Sequence, residues 1–238
     1  MDGTGFYGKL PFVGDFVRRD LPNELVQSLD DWLQACISQA QSSLGDGWKE
    51  TFLTSPIWRF VLAPGLLGEV GWLGCLSPST DKVGRLFPLV VARPLSSDTN
   101  PYLQAMLADS WCQEIESAIL SLFSEDIGQL EEFQERINLP HAPEIPDYNN
   151  RAQHLGFGES WQYQGYEYPD GYLSGHLVDQ FINHHLGTYS VWWGSGSQLV
   201  EPSVAVTRDL PDPHQFVAML CGIWQDKGWF STNRQTVQ

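Results

Sequence analysis

The chain has 238 residues, with 13 basic against 29 acidic side chains, a formal charge of −16, 42% hydrophobic and 18% charged residues. So acidic a chain repels phosphate backbones and anionic lipid, which argues against nucleic-acid and membrane-surface roles. No apolar run reaches the roughly 20 residues of a membrane span, and the N-terminus lacks the basic and apolar regions of a signal peptide; the expectation is a cytoplasmic protein without membrane insertion.

The first element raises a question of chemistry. Gly3 to Leu10, GTGFYGKL, nearly matches the phosphate-binding loop and also contains the Gly-x-Gly-x-x-Gly dinucleotide pattern. Both patterns need a strand before the loop and a helix after it, whose N-terminal amides hold the phosphates. The residues ahead of Gly3 offer no strand, Pro11 and Gly14 interrupt a following helix, and Leu10 stands where a magnesium-binding hydroxyl belongs. The segment reads instead as a strand, Phe6 to Leu10, with no cofactor.

Leu25, Leu29, Trp32, Leu33, Cys36, Ile37, Ala40 and Leu44 recur at helical spacing, with Pro22 suited to the first turn and Gly45 to the stop. A short helix, Trp48 to Leu53, follows. Three β-like runs come next, Ile57 to Ala63, Val70 to Leu76 and Leu86 to Ala92, with connections short enough for antiparallel hairpins. Asn100-Pro101 caps a helix whose apolar stripe runs without interruption from Leu103 to Leu122, and a shorter helix spans Glu125 to Ile137.

From Asn138 to Leu173 prolines, glycines and tyrosines break every periodicity, which predicts a long irregular segment near 138–173. A helix near Ser174 to Leu186, two strands (Thr188 to Gly194, Pro202 to Arg208) and a helix from Pro213 to Gln225 complete the chain. The order predicts a single α/β domain with a largely antiparallel central sheet covered by helices.

Little of the sequence suggests catalysis. Cys36, Cys75, Cys112 and Cys221 lie far apart with no Cys-x-x-Cys pair and read as reduced, structural thiols. His176, His184 and His185 share a predicted helix, but their spacing does not converge on one ion, so no metal is expected. The WWGSGS run around Ser195 lacks the paired glycines of a nucleophile elbow. The polar residues that stand out are Lys9, Asp15, Arg59, Asp81 and Arg85, isolated in apolar surroundings. Such residues form buried ion pairs that fix loops, recognise a polar ligand or partner, or catalyse. Trp192, Trp193 and Ser195 form a candidate contact surface.

These same segments carry a resemblance. GFYGKLPFVGDFVRRDLP (Gly5 to Pro22), WRFVLAPG (Trp58 to Gly65), SPSTDKVGRLFPL (Ser77 to Leu89), YSVWWGSGS (Tyr189 to Ser197) and FVAML (Phe216 to Leu220) are similar, in order, to successive blocks of the TagF/ImpM family of type VI secretion accessory proteins. The resemblance implies a bacterial, non-enzymatic, post-translational regulator that restrains secretion by protein–protein interaction with a component of the apparatus, with a forkhead-associated (FHA) domain scaffold as first candidate. The alternative is an enzyme or small-ligand sensor built on Lys9, Asp15, Asp81 and Arg85.

Overall fold

A computed structural model describes residues 3–124, 128–143, 172–225 and 227–230. Seven strands form one sheet: β1 (Gly5–Gly8), β2 (Val17–Arg19), β3 (Trp58–Leu62), β4 (Trp72–Ser77), β5 (Leu89–Pro94), β6 (Tyr189–Gly194) and β7 (Ser203–Arg208). Their spatial order is β2-β1-β5-β4-β3-β6-β7, with every neighbouring pair antiparallel. The helices are α1 (Asn23–Leu44), α2 (Trp48–Leu53), α3 (Pro101–Leu107), α4 (Asp109–Ser121), α5 (Leu130–Asn138), α6 (Tyr172–Leu186) and α7 (Pro213–Cys221).

Alternation along the central strands divides the core into two layers. Trp58, Phe60 and Leu62 of β3 point with Trp72, Val90 and Trp192 towards α1, α2 and α7. Val61, Leu73, Cys75 and Val91 point the other way, onto α4 and α5. Both faces of the central strands are buried, which explains why they read as continuous apolar runs rather than alternating ones.

The glycines of the opening segment serve this sheet. Gly8 has φ +138°, and a Cβ there would lie 2.1 Å from the Pro88 carbonyl oxygen; a Cβ on Gly5 would lie 2.5 Å from that of Arg19. They let β1 approach its neighbours closely. The segment does not open a helix: β1 is followed by a turn and by β2.

Three expectations need correction. The apolar stripe from Leu103 to Leu122 spans two helices: α3 ends at Leu107, Ala108 (φ −82°, ψ 0°) is the junction, and Asp109 starts a new first turn. Strand β2 was not anticipated, since two of its three residues are exposed arginines. The final helix ends at Cys221, where Gly222 adopts a left-handed conformation (φ 73°) and its N–H bonds the Ala218 carbonyl. Of the predicted irregular segment, residues 144–171 lie outside the described residues.

Candidate functional site

Strand β1 pairs with β5, so the loop after β1 (residues 9–16) and the loop before β5 (residues 78–88) meet at one end of the sheet. Hydrogen bonds stitch them together: Lys82 N–H donates to the Val13 carbonyl (3.0 Å), and the Ser79 hydroxyl donates to the Lys9 carbonyl (2.7 Å). Within the second loop Asp81 N–H bonds the Arg85 carbonyl, and Gly84, at φ +85°, permits the reversal.

Asp81 is the hub. Its side chain is 0% exposed and that of Lys9 is 7% exposed. Oδ1 accepts from the N–H groups of Val83 (3.0 Å) and Arg85 (2.9 Å). Oδ2 accepts from Lys9 Nζ (3.0 Å) and Arg85 Nε (2.6 Å). Four donors fill the acceptor positions of a carboxylate. Burial alone would raise its pKa; the Arg85 N–H, the Lys9 ammonium, the Arg85 guanidinium and the Val83 N–H outweigh that and hold Asp81 well below the usual carboxylate range.

Aromatic side chains complete the corner. Lys9 Nζ lies 5.1 Å from the centroid of the Phe16 ring. Phe16 stacks on Tyr7 (6.0 Å, 12°) and meets Phe87 edge-on (4.8 Å, 79°). The Tyr7 hydroxyl donates to Asp30 of α1, tying the corner to that helix. Arg85 is 59% exposed, and its outer nitrogen donates to the Gly14 carbonyl.

The sequence candidates therefore separate. Lys9, Asp81 and Arg85 come together. Asp15 lies exposed on the adjoining loop, its carboxylate accepting from its neighbour's backbone at Phe16 N–H (2.8 Å). Arg59 belongs elsewhere: it points to the opposite layer, where it makes a bidentate pair with Glu116 of α4 (2.7 and 2.9 Å) and also reaches Asp109. The proposed contact surface also needs correction. Trp192 is buried among Trp32 and Phe60, with its indole N–H on the Ser190 hydroxyl; Trp193 is half-buried and Ser195 exposed. Consecutive strand residues face opposite ways, so the paired tryptophans cannot form one surface.

Sequence reasoning missed the aromatic trio around Lys9 and the two carboxylates facing Arg59. The only available signal for the latter was physical: an arginine inside an apolar strand requires a partner. All four cysteines are free, with Cys36, Cys75 and Cys112 buried. Among the described residues no group of three or more His, Cys, Asp or Glu could hold a metal ion, and no helix is long and apolar enough to cross a membrane. Asp179 of α6 instead accepts from the Tyr189 hydroxyl, and the amide of Asn100 lies 3.3 Å from His176 Nδ1.

Residues 5–139 match the model of the TagF N-terminal domain, described as type VI secretion system-associated. The chain belongs to the TagF family. The match includes both loops of the Lys9–Asp81–Arg85 corner and the Arg59 pair. No curated protein matches the sequence. Among solved structures, the crystal structure of PA0076 from Pseudomonas aeruginosa PAO1, at 2.05 Å resolution, is similar with a TM-score of 0.80 and 32% identity, covering 96% of this chain and 99% of that one. The similarity to PA0076 extends beyond the family match and takes in α6, β6, β7 and α7.

Proposed function

We infer that this protein is a non-enzymatic, cytoplasmic regulator that restrains type VI secretion after translation by binding a protein component of the apparatus. The observation that carries this reading is the match of residues 5–139 to a type VI secretion-associated domain. The state of Asp81 supports its non-enzymatic part: a carboxylate with four donors is neither a free base nor an open ligand. The Lys9–Asp81–Arg85 corner is then a loop clasp rather than a reaction centre, which disfavours the alternative enzyme or ligand sensor. An FHA-domain scaffold is the first candidate partner, as the family resemblance implies.

The test is calorimetric titration of the purified protein with the FHA-domain scaffold of a type VI secretion cluster. Saturable one-to-one binding is expected. A scaffold that binds no more tightly than an unrelated acidic protein would remove it as the partner.

A further inference from the structure

The two edges of the sheet differ. Edge strand β2 has three residues, two of them exposed arginines, and is blunted in the usual way. Edge strand β7, Ser-Val-Ala-Val-Thr-Arg, has six residues with no proline or lysine among them. Its register with β6 pairs Tyr189 with Arg208 and Gly194 with Ser203. Asp209 N–H donates to the Thr188 carbonyl, and Ala63 N–H donates to the Tyr189 carbonyl on the other side of β6. In an antiparallel ladder these bonds set the phase. Ser203, Ala205 and Thr207 bond inward to β6, while the N–H and C=O groups of Val204, Val206 and Arg208 face outward.

Beside this edge runs a groove of about 670 Å³. Its lining includes Leu186 and Arg208 together with the aromatic residues Trp224, Trp229 and Phe230. The aromatic wall is built rather than incidental. Trp229 donates to the Gln215 carbonyl (3.0 Å), Gln215 Nε2 donates to the Gly228 carbonyl (3.1 Å), and Trp224 meets Trp229 edge-on (5.6 Å, 76°). Val204 is 71% exposed on the strand itself.

We propose that the outer edge of β7 and this groove bind an extended segment of another protein, which adds to the sheet as an eighth strand. Main-chain bonds to Val204, Val206 and Arg208 supply the pairing, and the groove takes apolar side chains at alternate positions. Charge selects the occupant. A chain with a formal charge of −16 repels a second copy of itself and attracts a basic segment. The proposal rests on the binding role inferred above and assigns it a surface.

The probe is the peptide acetyl-KVTVTVK-amide, titrated into the full-length, isotope-labelled protein. Before peptide is added, the amides of Val204, Val206 and Arg208 exchange rapidly with solvent while those of Ala205 and Thr207 are protected. The peptide binds with a Kd of about 10–100 µM and protects the three outward amides; the acidic counterpart with terminal glutamates binds at least about tenfold more weakly. Val206→Pro removes one outward donor and leaves the β6 ladder intact, so it keeps the fold and weakens binding about tenfold or more. Val204→Lys, at an exposed position that lines the groove, replaces an apolar contact with a charge and weakens binding to a similar extent.

Absence of binding, or equal binding by a folded Val206→Pro protein, overturns the proposal. So does prior protection of the outward amides: at low protein concentration it would identify a segment of the same chain as the occupant, and at high concentration only, a second copy. The secretion-restraining role is read separately, by overproduction of the unmodified protein, so failure of the edge site leaves it standing and failure of the role leaves peptide binding measurable.

Discussion

Lys9 sits 3.0 Å from the Asp81 carboxylate with almost none of its side chain in water, and an ammonium is tolerated there only while that carboxylate stays charged. The Asp81 carboxyl titrates lower in the folded chain than unfolded. Its contribution to stability is therefore complete above the unfolded value of about 3.9 and is lost as pH falls through the depressed folded value. Asp81→Asn should lower the melting temperature near neutral pH and flatten the acid limb of a melting-temperature-versus-pH curve; an unchanged acid limb would show that other carboxylates control it. Arg85 behaves differently. Arg85 pairs with the same carboxylate, but the buried partner is Lys9 and Arg85 lies largely in solvent. Arg85→Ala should lower the melting temperature by no more than about 3 °C and leave partner affinity intact. A mutant with wild-type melting that fails to bind would instead make this loop a recognition site. In the opposite layer, Glu116→Ala leaves the Arg59 guanidinium buried without its bidentate partner and should cost about 3 kcal/mol in urea unfolding. The sequence marks Lys9, Arg59, Asp81 and Arg85 as unusual because each charge interrupts an apolar run. It does not say which of them meet, since that depends on the pairing of β1 with β5 and on the face that β3 presents to α4.

Elements with strong local signals are legible. Pro22 and Gly45 bracket α1, and Asn100 caps α3 through its side chain, which accepts from Leu103 N–H. Asp212 forms a capping box with Gln215 at the start of α7. Asp212→Ala should destabilise the fold by about 1 kcal/mol, measured by thermal melting, with helix α7 opening first in hydrogen exchange. Elements set by distant partners are not legible. Strand β2 exists because β1 offers it an edge, and the break at Ala108 lies inside an apolar stripe that continues past it. The opening Gly-rich segment is the sharpest case: composition mimics a phosphate loop, while the geometry explains Gly8 by its contact with the backbone at Pro88. Gly8→Ala should destabilise strongly, because both its positive φ and the 2.1 Å approach forbid a Cβ. A mutant with wild-type melting would refute that account of the motif.

At the scale of the molecule, two helical layers enclose a sheet whose edge strands, among the described residues, are the blunted β2 and the longer β7. The family match covers the half with the clasp, and the open edge lies beyond it. The clasp fixes one end of the sheet, and the edge proposed above for strand addition lies at the other. The most direct measurement of the central claim is export of the secreted tube protein in a secretion-active host that overproduces this chain. Less tube protein in the culture medium, with its cellular level unchanged, is the predicted result. Unchanged export at verified overproduction would contradict a restraining role.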